Sequence, residues 1–296
     1  MPRRGQTAHA VATEAKQPPH RFSTGPSRIA ASLRTKTDPP APPVRNPALD
    51  LIRRLATTIY GTYALSLLAT MLGLATVLAF VLPKLTWRRR ATHSCARAWL
   101  WAVGLRVRVT GLEALPEGSC VLVANHSSYL DGVVMKAVLP PRFSFVVKRE
   151  AASTPVLGLL LRRIGAEFVD RHSATGRQRA ARRIMKRAEQ GHALVFFPEG
   201  TFDAQVGLKR FKIGAFVAAA RGNAQVVPAV IHGARRALPS DTKVPRPGLL
   251  HVEVLEPIGG NGESPEALRD ESRRRMLARL DEPDLAAAPA RAAGVA

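Results

Sequence analysis

The stretch VLVANHSSYLD, residues 121–131, is the part of the chain from which fold and chemistry can be read. Residues 121–124 form an apolar run of the length of a buried strand, and the two serines that follow are typical of a turn or helix cap. On one regular helix, His126 and Asp131 would lie about 140° apart. They can face each other only if His126 is at the strand exit and Asp131 on the next turn or helix start. A carboxylate placed there orients the imidazole, which can then accept a proton from a hydroxyl.

The same spacing also arises by chance in a chain with 8 His and 22 acidic residues. His9 and Glu14, for example, show it with glutamate. A lone match therefore carries little weight. The interpretation of His126 and Asp131 as a catalytic pair depends on what the rest of the chain provides.

The composition favours an anionic partner. The 296 residues carry a net charge of +22, mostly from arginine, which suits nucleic acid, a membrane surface or phosphorylated substrates. Aromatic residues make up only 5% of the chain and do not interleave with the basic residues, so we expect no nucleic-acid partner. Cys95 and Cys120 have neither metal-ligand nor disulfide-framework spacing, and we expect a reducing compartment and no metal site.

Several enzyme classes find no sequence support. The chain contains no G-x-S-x-G elbow of a serine hydrolase and no H-E-x-x-H zinc motif. It also lacks the phosphate loop G-x-x-x-x-G-K-[ST] and the dinucleotide fingerprint G-x-G-x-x-G.

The N-terminal third is predicted to be a tail followed by a membrane anchor. Residues 1–48, rich in Pro, Ser, Thr, Ala and Arg, are predicted to be a disordered basic tail. Residues 49–105 are predicted to anchor the protein, because residues 59–82 carry no charge and as a helix would span about 36 Å. The larger group of basic residues follows this segment, which places the next domain in the cytoplasm if the helix spans.

A second apolar patch gives an alternative to a single spanning helix. Residues 98–105 are too few to cross a bilayer, but Trp99 and Trp101 suit the lipid interface. The two apolar segments could instead form a helical pair that dips into one leaflet.

Residues 106–282 alternate short apolar runs with helix-like stretches. We predict strands at 106–110, 121–124, 143–147, 167–169, 193–197, 226–231 and 250–255, with helices at 132–139, 155–163, 175–190 and 213–221 and a last helix capped by Ser264. This alternation predicts an α/β domain, a layered and largely parallel sheet with flanking helices. Residues 283–296, rich in Ala and Pro, are predicted to be a disordered tail.

Four predicted strands end in polar residues, and the carboxyl ends of parallel strands share one edge of a sheet. The polar residues that follow these strands are His126, Lys148, Asp170 with Arg171, and Glu199 with Gly200 and Thr201. Each has a structural alternative: Lys148 as a solvated lysine, Asp170 and Arg171 as an ion pair, and Glu199 and Gly200 as an ordinary turn. Together they offer one base and several cations beside a turn glycine, a set that suits activation of a hydroxyl near a phosphate.

Four blocks occur in a fixed order: NHSSYLD (125–131), GAEFVDR (165–171), FPEGT (197–201) and VVPAVI (226–231). They resemble the motifs of the membrane-bound glycerolipid acyltransferases typified by 1-acylglycerol-3-phosphate acyltransferase. One departure concerns the residues after FPEGT. The family often has Arg and then Ser there, whereas this chain has Phe202 and Asp203. The resemblance therefore leaves open how an acceptor phosphate is held.

The resemblance implies transfer of a fatty acyl group from acyl-CoA or acyl carrier protein to the hydroxyl of lysophosphatidic acid. The implied roles are general base for His126, orientation of that base for Asp131, and substrate binding for Arg171, Glu199, Gly200, Thr201 and Lys148. The resemblance implies no metal and no bound cofactor. It also implies that the protein acts at a membrane. We expect this to be the bacterial cytoplasmic membrane, with the catalytic domain on its cytoplasmic side.

Two alternatives remain at this point. One keeps the chemistry and changes the acceptor to another lysolipid or to glycerol 3-phosphate. The other is a non-catalytic membrane protein that binds anionic lipid through its basic surface. The intact pair of His126 and Asp131 argues against the second alternative.

Overall fold

A computed structural model describes residues 47–170, 173–259 and 262–287. The predicted tail at 1–48 lies outside these ranges except for its last two residues, and Arg171 also lies outside them. The helices are α1 (Pro47–Val81), α2 (Leu85–Ala102), α3 (Leu130–Val138), α4 (Leu157–Arg163), α5 (Ala174–Glu189), α6 (Gly214–Arg221), α7 (Ala234–Ala237) and α8 (Pro265–Leu277). The strands are β1 (Leu105–Thr110), β2 (Cys120–Ala124), β3 (Ser144–Lys148), β4 (Glu167–Val169), β5 (Leu194–Phe196), β6 (Gln225–His232) and β7 (Gly248–Val254).

One sheet of seven strands, in the order β1-β7-β6-β2-β5-β3-β4, forms the centre of the domain. The strands from β6 to β4 run parallel, as the alternation of strands and helices predicts. β7 pairs antiparallel with β6, and β1 runs parallel with β7, so these two outer strands point the other way. β2 lies in the middle, and all five of its residues are buried, which is why it is apolar without alternation.

Helices cover both faces of the sheet. Leu122 and Ala124 of β2 face the cluster that contains α1, α2 and α3, while Val121 and Val123 face the cluster that contains α6 and α8. This split follows from the two-residue period of a strand, whose successive side chains point to opposite faces. The predicted α/β class, with an N-terminal helical pair, is confirmed.

α1 and α2 form that helical pair, but not in the way the sequence suggests. The sequence predicted only the apolar patch at 98–105 as the second segment, whereas α2 begins at Leu85. The first turns of α2 carry charged residues, so they show no apolar pattern. Trp99 is 3% exposed, and its Nε1 donates a hydrogen bond to the carbonyl of Ala64 at 3.1 Å. The prediction that Trp99 lies at a lipid interface is therefore wrong, whereas Trp101 is 69% exposed.

The outer side of α1 is apolar and exposed. Residues 54–81 form a helix whose most apolar 18-residue window has a mean hydropathy of 2.2, long and apolar enough to cross a membrane, the one such helix within the described ranges. Ile59 is 70% exposed, and Val77 and Phe80 are more than half exposed. Exposed apolar surface of this extent marks a membrane-contact or interaction face.

The inner side of α1 lies against the domain along most of the length of the helix. Near one end, the hydroxyl of Tyr60 donates to the carbonyl of Val103 at 2.8 Å. Near the other end, Nε of Arg163 donates to the carbonyl of Ala79 at 3.1 Å. These two anchor points are about 28 Å apart along the helix axis.

The C-terminal segment is ordered past the predicted boundary. Asp284 accepts hydrogen bonds from the guanidinium of Arg273 at 2.6 and 2.7 Å, and the amide of Leu208 donates to the carbonyl of Pro283 at 2.9 Å. The ion pair and this backbone pairing hold residues 283–287, which the composition alone assigned to a disordered tail. Residues 288–296 lie outside the described ranges.

Candidate active site

His126 and Asp131 face each other at the carboxyl end of β2. His126 follows the strand by two residues, and Asp131 is the second residue of α3. Oδ2 of Asp131 lies 2.9 Å from Nδ1 of His126 and also accepts from the backbone amides of Ser127 at 2.6 Å and Ser128 at 2.8 Å. The carboxylate is completely buried. This is the arrangement of strand exit and helix start that the five-residue spacing requires.

The contact with Asp131 fixes which nitrogen of His126 carries the proton. An ionised carboxylate only accepts hydrogen bonds, so Nδ1 must be the donor and Nε2 keeps its lone pair. The side chain is 19% exposed. In the neutral imidazole Nε2 is then the nitrogen that can accept a proton, on a side chain that is partly exposed at the carboxyl end of β2.

Two aromatic rings hold the imidazole from either side. Phe197 stacks on His126 with 4.5 Å between ring centroids, and Phe202 approaches edge-on at 4.6 Å. Phe202 also meets Tyr129 edge-on at 4.8 Å. The residue that departs from the family pattern is thus part of the wall around the base, a role that no sequence pattern indicated.

Asn125 ties the segment before the base to the neighbouring strand. Its Nδ2 donates to the carbonyl of Ile231 at 3.1 Å, and its Oδ1 accepts from the amide of the same residue at 2.7 Å. The side chain amide thereby extends the β2–β6 ladder beyond its last pair, Ala124 with Ala229. Sequence reasoning missed this role, and the signal available was an asparagine immediately after a buried strand.

Glu199 lies beneath the same loop and is 5% exposed. Its Oε1 accepts from the amide of His126 at 2.6 Å, and its Oε2 accepts from the amide of Lys209 at 2.9 Å. Burial raises the pKa of Glu199 to about 7, against the two amide donors, which favour the carboxylate. Glu199 was predicted to bind substrate, but both oxygens are used to hold backbone, so the structure makes it a positioning residue.

The turn after Glu199 depends on glycine. Gly200 has φ of 79°, in the left-handed region where a side chain is strained, and its amide donates to the carbonyl of Phe197 at 3.0 Å. Thr201 follows and is exposed. The tight turn returns the chain toward the base, which is how Phe202 comes to lie against His126.

The other predicted site residues lie at the same edge but farther along it. Lys148 ends β3, which is two strands from β2, or about 10 Å sideways at ordinary strand spacing. Asp170 forms an ion pair with Arg149, and whether it also pairs with Arg171 stays a prediction. Arg171 itself lies outside the described residues, and its predicted role stays a prediction.

The charged groups near the base suit anions better than metal ions. Within the described ranges, no group of three or more His, Cys, Asp or Glu side chains could hold a metal ion. Lys209, whose amide is bound by Glu199, has its ammonium beside Asp203, and Arg235 donates to the carbonyl of Asp203 at 3.0 Å. These cations are candidates for contact with a substrate phosphate.

A cavity of about 300 Å³ lies on the α1–α3 face of the sheet and extends to Tyr129 and Gly132. Met71, Ala75, Tyr129, Gly132 and Val147 are among its apolar or uncharged lining residues. Lys136 is the one charged residue in the lining, and burial lowers its pKa to about 8. The cavity thus joins the apolar helix α1 to the residues next to Asp131.

Residues 106–232 match the family model described as Acyltransferase, and this segment runs from β1 to β6 with His126 and Asp131 in it. This segment is similar to an acyltransferase domain. Relatives that are similar to this segment and to the residues that flank it are also named as acyltransferases. 1-acyl-sn-glycerol-3-phosphate acyltransferase LPAT1, chloroplastic, of Arabidopsis thaliana is 28% identical over 209 residues, which are 68% of this chain and 58% of that protein.

Two further relatives are more similar over shorter shares of this chain. Lysophosphatidylcholine acyltransferase 2 of Rattus norvegicus is 34% identical over 60% of this chain and 37% of its own. The 1-acyl-sn-glycerol-3-phosphate acyltransferase of Saccharomyces cerevisiae is 31% identical over 57% of this chain and 59% of its own. The chain therefore spans less than two thirds of the length of these curated relatives.

A solved structure supports the fold. The 1-acyl-sn-glycerophosphate (LPA) acyltransferase PlsC from Thermotoga maritima superposes with a TM-score of 0.64 and 21% sequence identity, over 76% of this chain and 94% of that one. The layered sheet with its flanking helices is thus a fold already known from that protein.

Proposed function

We propose that this protein transfers a fatty acyl group from a thioester donor to the free hydroxyl of lysophosphatidic acid, giving phosphatidic acid for phospholipid synthesis. The observation that carries the proposal is the geometry of His126, whose Nδ1 is held by a buried carboxylate and whose side chain stays partly exposed at the carboxyl end of β2. The names of the relatives from Arabidopsis thaliana and Saccharomyces cerevisiae support lysophosphatidic acid as the acceptor.

The proposed reaction is a direct transfer. Nε2 of His126 takes the proton of the acceptor hydroxyl while its oxygen attacks the thioester carbonyl, and Asp131 stabilises the imidazolium that forms. Collapse of the tetrahedral intermediate breaks the carbon–sulfur bond, and the leaving thiolate takes the proton from Nε2. The products are the new ester and a free thiol, and His126 returns to its starting state.

The cavity beside α3 is suited to the chain of the acyl donor. It is lined by apolar side chains from α1, α2 and α4 and reaches Tyr129 and Gly132, next to Asp131. Burial of a methylene group in such a site is worth about 0.8 kcal/mol. We propose acyl-CoA or acyl carrier protein as donor, with no metal or bound cofactor in the reaction.

We propose that the protein lies on a membrane with α1 in the plane of one leaflet. The inner side of α1 touches the domain near both ends, at Tyr60 and at Ala79, so a domain in water lies beside the whole helix. A helix that crossed the bilayer would bring part of that domain into the hydrocarbon. We propose the cytoplasmic leaflet of a bacterial membrane, whose anionic lipids suit the net charge of +22.

A second acceptor deserves a test because of Phe202. It stands where the family often has arginine, and it forms an aromatic wall with Tyr129. A rat lysophosphatidylcholine acyltransferase is among the relatives, and aromatic rings attract quaternary ammonium groups. Lysophosphatidylcholine is therefore the second candidate acceptor.

The deciding experiment is an acceptor panel with one long-chain acyl-CoA, assayed by release of free thiol and by mass spectrometry of the lipid product. Lysophosphatidic acid, lysophosphatidylcholine and glycerol 3-phosphate are compared using the full chain in lipid vesicles. We expect the highest kcat/KM with lysophosphatidic acid. Release of no thiol with any acceptor, by protein that binds anionic vesicles well, would instead indicate a non-catalytic lipid-binding protein.

A further inference from the structure

A second apolar cavity, of about 560 Å³, lies on the other face of the sheet. α5 and α6 form its walls, and the strands β3, β4 and β5 form its floor. Ile184, Met185 and Val217 contribute its apolar lining from the two helices, and Phe197 and Pro198 form the end nearest the base. A cavity of this size and character is typical of a binding site.

Two residues, Val147 and Phe197, relate this cavity to the first cavity and to the base. β3 and β5 are paired only at Ser144 with Leu194 and at Phe145 with Val195. Val147 and Phe197 lie beyond these paired positions, and both line the second cavity. Val147 also lines the first cavity, and Phe197 stacks on His126. The two cavities thus approach the same base from opposite faces of the sheet.

The proposed reaction needs room for two chains, because the donor and the lysolipid acceptor each carry one. We propose that the second cavity holds the acyl chain that the acceptor already carries, while the first holds the chain being transferred. This inference rests on the proposed function and adds to it the binding site of the second hydrocarbon chain.

The chemistry of the two substrates decides which cavity takes which chain. In a thioester the reacting carbon is the first carbon of the chain, so the donor needs an apolar cavity that reaches the base. The first cavity extends to Gly132, the residue that follows Asp131 in the chain. In the acceptor, polar glycerol, ester and phosphate groups separate the hydroxyl from the chain. Lys212, an exposed cation, borders the second cavity beside Pro198 and suits those groups.

Two glycines provide a matched pair of variants. Gly132 lines the first cavity and Gly214 the second, and a Cβ added at either position meets no atom within 4 Å. Gly132→Phe and Gly214→Phe therefore each place a ring into one cavity without an immediate clash. Gly248→Phe is the control, because Gly248 is also open and lines neither cavity.

The experiment measures kcat/KM for long-chain (oleoyl) and short-chain (hexanoyl) substrates, varied separately in the lysophosphatidic acid and in the acyl-CoA. Each methylene excluded from an apolar site changes binding by about fourfold. We expect Gly214→Phe to lower the preference for oleoyl over hexanoyl lysophosphatidic acid by at least about tenfold and to leave the preference among acyl-CoA donors unchanged. Gly132→Phe should do the reverse, and Gly248→Phe should change neither preference.

An unchanged acceptor preference in folded Gly214→Phe overturns the inference, as does a shift in the donor preference instead. Melting temperature checks folding, and Val217→Trp fills the same cavity from the middle of α6 if the first variant is unstable. The proposed function fails separately, if the unmodified protein acylates no lysolipid of either length. In that case no preference exists to be shifted, and the inference fails with it.

Discussion

Oδ2 of Asp131 lies 2.9 Å from Nδ1 of His126, and the same oxygen accepts the amides of Ser127 and Ser128. Three donors therefore converge on one buried atom. The amides fix the carboxylate, and the carboxylate fixes the imidazole. The base is oriented before any substrate arrives, which removes reorganisation from the reaction step.

Replacing His126 with alanine removes the proposed base. We expect kcat for acyl transfer to fall by about 10² to 10⁴, the usual contribution of a positioned general base, while vesicle binding is unchanged. Thiol release and vesicle co-flotation measure the two properties. His251→Ala is the matched control, because His251 lies on the outer strand β7. Near-normal turnover by folded His126→Ala protein would rule out the mechanism.

Two substitutions at Asp131 separate its charge from its shape. Asparagine can keep an acceptor oxygen at the Oδ2 position, so Asp131→Asn should remain stable but lose about 10²-fold in kcat, since the imidazolium loses its counter-charge. Asp131→Ala leaves three donors without an acceptor and should also lower the free energy of unfolding by roughly 1 to 3 kcal/mol or more. Chemical denaturation and initial rates give both quantities. Equal free energies of unfolding for the two variants would contradict the role of Asp131 as the acceptor of these three hydrogen bonds.

Phe202→Arg tests whether the aromatic wall or an arginine serves the site better. From the sequence, the departure at Phe202 leaves open how an acceptor phosphate is held. In the structure, Phe202 packs 4.6 Å from the imidazole, and a cation there opposes formation of the imidazolium. We expect kcat to fall at least about tenfold, and Phe202→Leu, which keeps the site apolar, to be much milder. A rise in kcat/KM for Phe202→Arg would show that phosphate binding outweighs this effect.

Glu199→Gln tests a buried carboxylate by its pH dependence. Because the pKa of Glu199 is raised from 4.5 to about 7, the folded protein binds this proton more readily than the unfolded chain between those values. The contribution of this proton to the free energy of unfolding is fully present below pH 4.5 and is lost as the pH rises to 7, a change of about 3 kcal/mol. Denaturation of the wild type and of Glu199→Gln across this range measures it. Parallel curves for the two proteins would show that Glu199 titrates near its ordinary value.

Acidic residues on the outer side of α1 should release the protein from vesicles. Ile59, Val77 and Phe80 are more than half exposed, and each apolar side chain buried in lipid contributes about 1.5 to 3 kcal/mol. We expect Ile59→Glu, Val77→Glu and Phe80→Glu combined to abolish vesicle flotation. Ala267→Glu on the exposed side of α8 should not.

Cysteine labelling distinguishes a helix in the plane of the membrane from one that crosses it. Arg54→Cys and Lys84→Cys flank the apolar part of α1 and are introduced into protein whose Cys95 and Cys120 have been changed to alanine. An impermeant maleimide added outside vesicles should label both positions when the helix lies in one leaflet. Protection of one of them would show that α1 crosses the bilayer.

Much of the fold was readable from the sequence because burial and strand period leave a local signal. The apolar run of β2, the short strand β4 and the Ser264 cap of α8 were predicted almost to the residue. The reversed direction of β7 was not, because the direction of a strand is set by the connections around it. The start of α2 was missed since its first turns carry charged residues that give no apolar period.

The site was predictable as a set of residues but only partly as a set of contacts. His126 and Asp131 are close in sequence, so local geometry limits how they can meet. Asn125 with Ile231, and Glu199 with the amide of His126, are joined across 106 and 73 residues, and no local pattern encodes such partners. Asp170 was placed at the correct edge, but its partner Arg149 belongs to a different strand end.

The bond between the Glu199 carboxylate and the His126 amide also bears on the order of events during synthesis. The ribosome releases the segment with the base long before the segment that steadies it, and β5 must be inserted beside β2 before the two can meet. A nascent chain that ends before Glu199 thus contains the imidazole and its carboxylate but lacks their final support. Competence for acyl transfer is in this sense acquired late, only after the central strands of the sheet have assembled.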